Sequence, residues 1–412
     1  MAKPQLLFLS HRIPYPPNKG DKIRSWNILK HLTERFEVHL GAFIDDPDDR
    51  QHEAFLRTVC SDVMLLDMNK AARIPRLLNG LREEKPLSVA MWEDARMHRF
   101  VRSLMDRGGV DHVFAFSSQM APYVMKHATR RRMIMMDFVD MDSDKFTQYA
   151  RGATWPKSSL YKREASLLAQ FEKQVARVAD ASLFVSEAEA DLFRSNAGSY
   201  AHTVYALNNG VDLDYFNPDA DLDAAQPPGR PSLVLTGAMD YKPNIDASIW
   251  MAKDILPRVQ AVLPDASFTI VGSNPTGEVN ALAKLPGVDV TGRVPDVRPY
   301  LAAADIAVAP IRIARGVQNK VLEAMAMARP VVATTHAFSG IAAKPGIDLV
   351  IADDADSFAQ AIIDLMADRE RRETIADAGW ARMTAVYSWQ AQLARLDDII
   401  HHHKVGLGEE AS

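Results

Sequence analysis

The chain has 412 residues, of which 25% are charged and 47% hydrophobic, and its net charge at pH 7 is −5. This length suits two folded domains rather than one, and the composition excludes a disordered or fibrous protein. The acidic excess lies in the second half of the sequence, and the near-neutral first half argues against nucleic acid as a ligand.

The sequence lacks features of secreted or membrane-spanning chains. Its single cysteine, Cys60, excludes an internal disulfide and a thiolate metal cluster, and it fits a reducing compartment. The N-terminal apolar run Leu6–Leu9 is too short for a signal-peptide core, and the sequence contains no run of ~18 apolar residues that could span a bilayer. We therefore expect a cytoplasmic protein, associated at most with the inner face of the cytoplasmic membrane.

The first half alternates buried strands with amphipathic helices, which predicts a parallel, doubly wound sheet. Strands are predicted at Gln5–Ser10, Glu37–Phe43, Asp62–Leu66, Val113–Phe116, Met133–Asp137 and Ala181–Ser186, and helices at Arg24–Arg35 and Ser159–Val178.

The loop after the first strand is rich in proline, and we expect it to prevent regular structure before Arg24. Backbone N–H groups and cations around Asn18, Lys19 and Gly20 could cradle an anion at the start of the following helix. A plain connector is the alternative interpretation. The loop carries no G-x-G-x-x-G, so an ordinary dinucleotide site is not indicated.

The segment Lys70–Arg107 has a helical, amphipathic pattern in which Ile74 and Leu78 alternate with basic residues. One interpretation is a domain helix with a solvated basic face. The other is an interfacial helix that docks on anionic lipid, with Lys126 and Arg130–Arg132 extending its basic surface.

Asp140 and Asp142 follow the strand Met133–Asp137 and form a D-x-D pair. Acidic residues after a strand often cap turns or helices. Asp140 could also face a ligand at the carboxyl end of the strand, where it would orient an acceptor hydroxyl or take its proton. A carboxylate pair that holds a metal-bound diphosphate is the third interpretation.

The second half repeats the alternation of strands and helices after a segment rich in Asp, Ala and Pro. We predict a first domain at residues 1–215, a linker at 216–231, a second domain at 232–385, and a C-terminal helix and tail at 386–412. Strands are expected at Ser232–Gly237, Ser267–Gly272, Val288–Gly292 and Asp305–Pro310, and helices at Asn244–Leu263, Glu278–Leu285, Pro299–Ala304, Asp354–Ala385 and Ser388–Lys404.

The stretch 315–335, R-G-V-Q-N-K-V-L-E-A-M-A-M-A-R-P-V-V-A-T-T, predicts a loop, a core-facing helix, a proline stop and a buried strand. Glu323 lies on this helix among apolar neighbours, and burying a carboxylate is costly unless it has partners. It is either an ordinary solvated or ion-paired residue, or a carboxylate that accepts hydrogen bonds from two vicinal hydroxyls, as on a ribose.

The L-E-A-M-A-x-x-x-P-V-V-A pattern resembles the donor-site signature of retaining nucleotide-sugar glycosyltransferases with the two-domain GT-B architecture, family-four type (glycosyl transferases group 1). By this resemblance Glu323 binds the donor ribose. Arg315 stands near the donor sugar, where that family usually has a first Glu. The R-G-V-Q-N-K-V-L-E-A-M-A form is similar to sugar transferases of bacterial exopolysaccharide clusters associated with PEP-CTERM systems.

Two other segments resemble the same family. T-G-R-V at 291–294 matches a segment that lies near the base, and N-G-V-D-L-D-Y-F-N-P at 209–218 matches the passage between the two domains. T-G-A-M-D-Y-K-P-N resembles the diphosphate loop imperfectly, with Ala238 at an arginine position and Lys242 one place early. The expected donor-binding residues are Glu323, Lys320, Asn319, Gly316, Lys242, Gly237, Gly292 and Arg293; the acceptor-side residues are Gly20, Asn18 and Lys22; and the catalytic residues are Asp140 and Arg315.

The resemblance implies two Rossmann-like domains facing a cleft, a C-terminal helix that crosses back to the first domain, and transfer of a sugar with retention. The donor would be a nucleotide-diphosphate-sugar and the acceptor a glycan or lipid-linked hydroxyl, without a metal or other cofactor. Two rival functions remain open: a sugar-nucleotide epimerase of the same architecture, and a non-catalytic nucleotide-sugar-binding protein.

Overall fold

The computed structural model describes residues 3–68, 70–223, 225–313 and 317–409. The chain divides into two compact units. The first unit ends at Asn209 and takes in the chain again from Leu393, while the second spans Gly210–Gln392. The observed division therefore falls before residue 215, where the sequence analysis placed the end of the first domain.

The first unit is built on a seven-stranded sheet in the order β3-β2-β1-β4-β5-β6-β7, and all its strand pairs are parallel. Its strands are almost wholly buried, as expected when helices cover both faces. The strands are β1 (Gln5–Ser10), β2 (Glu37–Ile44), β3 (Asp62–Asp67), β4 (Val110–Phe116), β5 (Met133–Val139), β6 (Ala181–Phe184) and β7 (Val204–Ala206).

Helices connect these strands. The α-helices are Gly20–Arg35, Glu53–Val59, Lys70–Arg82, Leu87–Ala90, Ala95–Arg107, Ala121–Val124, Asp142–Gly152, Lys157–Ala176 and Glu187–Ala197, and the 3-10 helices are Pro47–His52, Ser118–Met120, Met125–His127 and Gly198–Thr203.

Two helix predictions in the first unit were wrong in their limits. The first helix begins at Gly20 rather than Arg24, because the prolines of the preceding loop end before it and do not affect its hydrogen bonds. The segment predicted as one helix, Lys70–Arg107, forms three. Pro86 lies at the N-cap of the second helix, and the Asp94 side chain caps the third by accepting from the Arg96 N–H.

The second unit contains a six-stranded parallel sheet in the order β10-β9-β8-β11-β12-β13. In both sheets the strand order reverses beside the first strand, which is the place where doubly wound sheets bind ligands. The strands are β8 (Ser232–Thr236), β9 (Ser267–Val271), β10 (Val288–Gly292), β11 (Ile306–Ala309), β12 (Val331–Ala333) and β13 (Val350–Ile351).

The helices of the second unit pack on both faces of its sheet. Its α-helices are Lys242–Trp250, Leu256–Gln260, Gly277–Ala281, Arg298–Ala303, Asn319–Ala326, Thr335–Phe338, Ala355–Ala367 and Arg369–Arg382, its 3-10 helix is Leu282–Lys284, and its π-turns are Met251–Ile255 and Met383–Tyr387. The single helix expected at Asp354–Ala385 is divided at Asp368, whose carboxylate caps a new helix by accepting from the Arg371 N–H.

The last helix, Trp389–Glu409, begins in the second unit and continues in the first. The Asp397 carboxylate on this helix contacts two residues of the helix Gly20–Arg35. His31 Nε2 lies 2.9 Å from Asp397 Oδ1, and Arg35 Nη2 lies 2.8 Å from Asp397 Oδ2. None of the described helices combines the length and apolar character that a bilayer crossing requires. Two Rossmann-like parallel-sheet domains and the returning helix confirm the predicted fold class.

Candidate functional site

A cavity of about 520 Å³ opens in the second unit beside the carboxyl ends of β8, β9 and β10. Parallel strands direct the loops at these ends toward a bound ligand. The cavity is lined by Phe216, Thr236, Gly237, Ala238, Asn244, Val271, Gly272, Ser273, Arg293, Val294, Val297, Val317, Asn319, Lys320 and Glu323.

The floor of the cavity is made of two glycine loops in close contact. Gly237 has φ +151°, and a Cβ on it would lie 2.6 Å from Asn244 Nδ2 and 3.5 Å from Lys320 Cε. A Cβ on Gly272 would lie 1.6 Å from the carbonyl oxygen of Gly237. Only glycine permits this approach of the two loops, which leaves backbone polar groups accessible to a ligand.

One wall of the cavity is the helix Asn319–Ala326, which brings its first turn and Glu323 to the ligand space. Asn319 is exposed, whereas Lys320 and Glu323 are partly buried. The Nζ atom of Lys320 lies 3.3 Å from Gln318 Oε1. The Glu323 carboxylate receives no hydrogen bond from the part of the chain that the structure describes.

Burial perturbs both charged groups of this helix. It raises the pKa of Glu323, and the positive charge of Lys320 opposes this shift. It lowers the pKa of Lys320, and the charge of Glu323 opposes that shift. A desolvated carboxylate that accepts no hydrogen bond from the described residues is poised to bind a polar ligand, because the ligand supplies the missing hydrogen bonds.

Asn244 is a cavity residue that was not among the expected donor-binding residues. The helix predicted to begin at Asn244 begins at Lys242 instead, and Asn244 lies buried in its first turn. Its Nδ2 donates to the Ala238 carbonyl at 2.9 Å, and its Oδ1 is buried without a partner among the residues that the structure describes. The proline after Lys242 was the available signal, since proline favours the first turn of a helix.

The structure brings five of the expected donor-binding residues to this cavity: Gly237, Arg293, Asn319, Lys320 and Glu323. Lys242 is exposed at the start of its helix, and Gly292 ends β10; neither lines the cavity. Arg315 and Gly316 lie outside the described residues.

The acceptor-side residues of the first unit have different environments. Asn18 is exposed, and Gly20 is the first residue of its helix, with open space where a Cβ would be. Lys22 was expected to face an acceptor, but it is 1% exposed and its Nζ lies 2.5 Å from Asp49 Oδ2. This expectation is corrected, because a buried ion pair already satisfies the ammonium group.

Asp140 lies just beyond the carboxyl end of β5. Its Oδ2 lies 3.3 Å from Lys145 Nζ, which also lies 3.1 Å from Asp142 Oδ1. The preceding residue, Val139, has φ +67°, a strained conformation for a β-branched residue. The Lys145 ammonium bridges the two carboxylates of the D-x-D pair, and no group of metal-ligating side chains occurs within residues 3–68, 70–223, 225–313 and 317–409.

The helix that follows Asp140, Asp142–Gly152, was not predicted. The Glu172 carboxylate accepts the Ser143 N–H at 2.9 Å and the Ser143 hydroxyl at 2.5 Å, which satisfies the first turn of this helix. Burial raises the pKa of Glu172 to about 7, and the hydrogen bonds from Ser143 oppose the shift. The cap comes from a distant helix, so the local sequence did not reveal it.

Residues 230–368 match the sequence model of the family described as Glycosyl transferases group 1. This segment contains the whole cavity except Phe216. The family match therefore lies within the second unit.

Curated relatives extend the likeness over about half of the chain. A GDP-mannose-dependent monoacylated alpha-(1-6)-phosphatidylinositol monomannoside mannosyltransferase of Corynebacterium glutamicum is 27% identical over 250 residues, which is 55% of this chain and 64% of that protein. A GDP-mannose-dependent alpha-(1-6)-phosphatidylinositol monomannoside mannosyltransferase of Mycolicibacterium smegmatis is 28% identical over 251 residues, with the same coverage. The match thus spans less than two thirds of these relatives.

Solved structures share the fold along nearly the whole chain. HepE of Anabaena in complex with UDP has a TM-score of 0.64 at 16% identity, covering 97% of this chain and 100% of that one. Sucrose-phosphate synthase of Thermosynechococcus elongatus has a TM-score of 0.66 at 18% identity, covering 98% and 100%. These two structures show that the chain shares their fold.

Proposed function

We propose that this protein transfers a sugar from a nucleotide-diphosphate-sugar to a hydroxyl acceptor, with retention at the anomeric carbon. The observation that carries the proposal is the cavity of the second unit, in which burial desolvates Glu323 and Lys320 beside two loops that only glycine can form, and in which no described residue donates a hydrogen bond to the Glu323 carboxylate.

The proposed binding mode assigns a role to each wall of the cavity. Glu323 accepts hydrogen bonds from the two ribose hydroxyls, which restores the solvation that its carboxylate lost. Lys320 and Arg293 balance the diphosphate, together with the free N–H groups at the start of the helix Asn319–Ala326. The apolar side chains of Val294 and Val297 pack against the base. As the glycosidic bond ionises, these cations stabilise the leaving diphosphate.

In this proposal the first unit holds the acceptor. Asp140 orients the acceptor hydroxyl or takes its proton, and the Lys145 ammonium lies 3.3 Å from its Oδ2. Asn18 and Gly20 contribute the backbone N–H groups and the open loop on the acceptor side. Arg315 is proposed to lie near the donor sugar.

The relatives suggest a first donor and acceptor to test. Because the curated relatives are named as GDP-mannose-dependent and as acting on glycolipids, we propose GDP-mannose as the first donor and a lipid-linked glycan as the acceptor. A role in exopolysaccharide or other surface glycan synthesis, on the cytoplasmic face of the membrane, follows from the same proposal.

A peripheral membrane contact is supported by the helix Lys70–Arg82. Ile74 and Leu78 on this helix are 66% and 62% exposed, whereas Arg76 turns inward, with its Nη2 2.6 Å from Asp94 Oδ2. Arg82 on the same helix is also exposed, so both apolar and basic side chains of this helix reach solvent. An exposed apolar helix face can insert into the headgroup region of a bilayer.

The test is calorimetric binding and turnover of UDP-, GDP-, ADP- and dTDP-sugars by the wild type, Glu323→Ala and the control Glu370→Ala. Glu370 is exposed on a helix of the same unit and lies outside the cavity. Two charge-assisted hydrogen bonds contribute together about 3 kcal/mol, so Glu323→Ala should weaken donor binding roughly a hundredfold. Glu370→Ala should bind like the wild type.

The outcomes separate the rival functions. Slow hydrolysis of one donor and transfer to an added acceptor support the transferase. Epimerised donor without an acceptor would identify an epimerase, and binding without any turnover would identify a non-catalytic protein. If no nucleotide sugar binds, or if Glu323→Ala binds as tightly as the control, the proposed donor site is wrong.

A further inference from the structure

A second polar cavity lies in the first unit, on the layer of helices that covers its sheet. It has a volume of about 460 Å³ and lies between the helix Ala95–Arg107 and the segment Ala121–His127. Its polar lining is almost entirely basic, from Arg99, Arg102, Lys126, His98 and His127. No carboxylate is among its lining residues.

The three permanent cations of this cavity have no carboxylate partner. Within the described ranges, Arg99, Arg102 and Lys126 form no ion pair, although Arg96 on the same helix pairs with Asp94, with 3.0 Å between Nη2 and Oδ2. Like charges that share one cavity repel each other, and an anion relieves this repulsion.

Burial and nearby positive charges lower the pKa values of His98 and His127. Burial lowers the pKa of His98, and the charges of Lys126, Lys85 and Arg102 lower it further, against the opposing charge of Glu93. Burial also lowers the pKa of His127, as do Arg132, Arg102 and Lys126, while Asp106 opposes them. Both rings therefore favour the neutral form that can still donate one hydrogen bond to a ligand.

The two ends of this cavity lie at different levels of the sheet. The Arg132 guanidinium donates from Nε to the carbonyl of Val110, the first residue of β4, at 3.0 Å, and from Nη1 to the carbonyl of His127. His127 therefore lies at the amino ends of β4 and β5, at the edge of the sheet opposite the Asp140 turn. Tyr123, which also lines the cavity, packs against Phe43 near the carboxyl end of β2, with 6.4 Å between the ring centroids.

We propose that this cavity binds the phosphate group of a ligand. Arg99 and Arg102 are three residues apart and so lie on one face of their helix, where both guanidinium forks can reach one anion. The planar fork matches two phosphate oxygens, and Lys126 adds a point charge. The site is independent of the donor cavity, which lies in the second unit.

An adjoining cavity has a mixed lining. This neighbour has a volume of about 550 Å³ and shares His98, Pro122 and Lys126 with the phosphate cavity. Its lining combines apolar side chains, among them Leu167 and Phe171, with the carboxylates of Glu83, Glu84 and Glu93. Soluble phosphates and phospholipid headgroups share the anion that the basic cavity would bind, so both must be tested.

The experiment compares the full-length wild type with Arg99→Gln/Arg102→Gln and with the control Lys157→Gln/Lys162→Gln. The control removes the same charge from two exposed lysines of another helix of the first unit that do not line the cavity. One arm titrates inorganic phosphate and glycerol 3-phosphate by calorimetry. The other measures sedimentation with vesicles of phosphatidylglycerol, against phosphatidylcholine vesicles as a blank.

The wild type should bind the soluble phosphates, the phosphatidylglycerol vesicles or both. We expect Arg99→Gln/Arg102→Gln to bind the same ligand at least about tenfold more weakly than the control variant, because it loses two charge-assisted contacts. Binding in the soluble arm identifies a free phosphate ligand, and binding only to anionic vesicles identifies a lipid headgroup. Either result supports the site if Lys126→Gln also weakens binding. Absence of binding in both arms, or equal losses in the cavity variant and the control, overturns it. Donor binding unchanged in all variants confirms that they are folded and separates this result from a failure of the donor site.

Discussion

The buried pair of Arg24 and Asp137 offers a sharp test of how the first unit is held together. Arg24 Nε lies 2.8 Å from Asp137 Oδ2 and its Nη2 lies 3.2 Å from Oδ1, which is a bidentate contact. Its Nη1 also donates to the Leu207 carbonyl at 2.6 Å and to Asn209 Oδ1 at 3.0 Å. The arginine thus ties the first helix to the end of β5 and to the last residues before the second unit.

The substitution Arg24→Met retains the volume of the side chain but leaves the Asp137 carboxylate buried without its partner. Both side chains are at most 1% exposed, so solvent cannot replace the lost contact. Removal of one member of a buried ion pair costs about 3–5 kcal/mol of unfolding free energy. The double variant Arg24→Met/Asp137→Leu removes both charges and should lose much less than the sum of the two single variants.

The assay is urea-induced unfolding at pH 7, followed by a signal from the first unit, with Arg57→Met as the control. Arg57 pairs with Glu53 at 2.7 Å, but its side chain is 52% exposed, so this variant should lose less than about 1 kcal/mol. A loss for Arg24→Met no larger than that of the control would refute the argument. Additive losses in the double variant would show that the two groups do not act as a pair.

Two further predictions concern one carboxyl group and one glycine. Burial raises the pKa of Glu172 from 4.5 to about 7, so the folded state retains a proton that the unfolded chain releases in that interval, and stability falls as pH rises through it. The free energy of unfolding should therefore fall by about 3 kcal/mol between pH 4.5 and 7, and Glu172→Gln should abolish this fall. A Glu172→Gln variant with the pH dependence of the wild type would contradict the raised pKa of Glu172. Gly272→Ala should destabilise the second unit by about 2 kcal/mol and weaken donor binding, because the new Cβ would lie 1.6 Å from the Gly237 carbonyl oxygen. An unchanged free energy of unfolding and an unchanged donor affinity in calorimetry would contradict this.

The fold class could be predicted from the sequence because parallel, doubly wound sheets have a strong local signature. Their strands are short apolar runs, and amphipathic helices alternate with them at regular spacing. The predicted helix limits were wrong where a specific side-chain contact begins or ends a helix. Asp94 and Asp368 divide segments that have a continuous helical pattern, and Glu172 caps a helix whose own sequence resembles a turn.

The candidate site was predictable to the extent that its residues are neighbours in the sequence. Asn319, Lys320 and Glu323 lie within two turns of one helix, so the motif alone could place them together. Lys22 shows the opposite case, because it was expected on the acceptor side, whereas it pairs with Asp49, which is distant in the sequence. A local pattern does not specify which distant group a long side chain meets.

The sequence by itself determined the alternation of strands and helices, the two-sheet architecture and the helix that carries Glu323, because periodicity and turn residues act over a few positions. Only the tertiary structure decided that Asn244 joins the donor cavity and that Ile74 and Leu78 face solvent. It also decided that five basic side chains of the first unit enclose one cavity. These relations depend on how helices pack across a sheet, and that packing is settled by the burial of apolar surface over the whole unit rather than by any single segment.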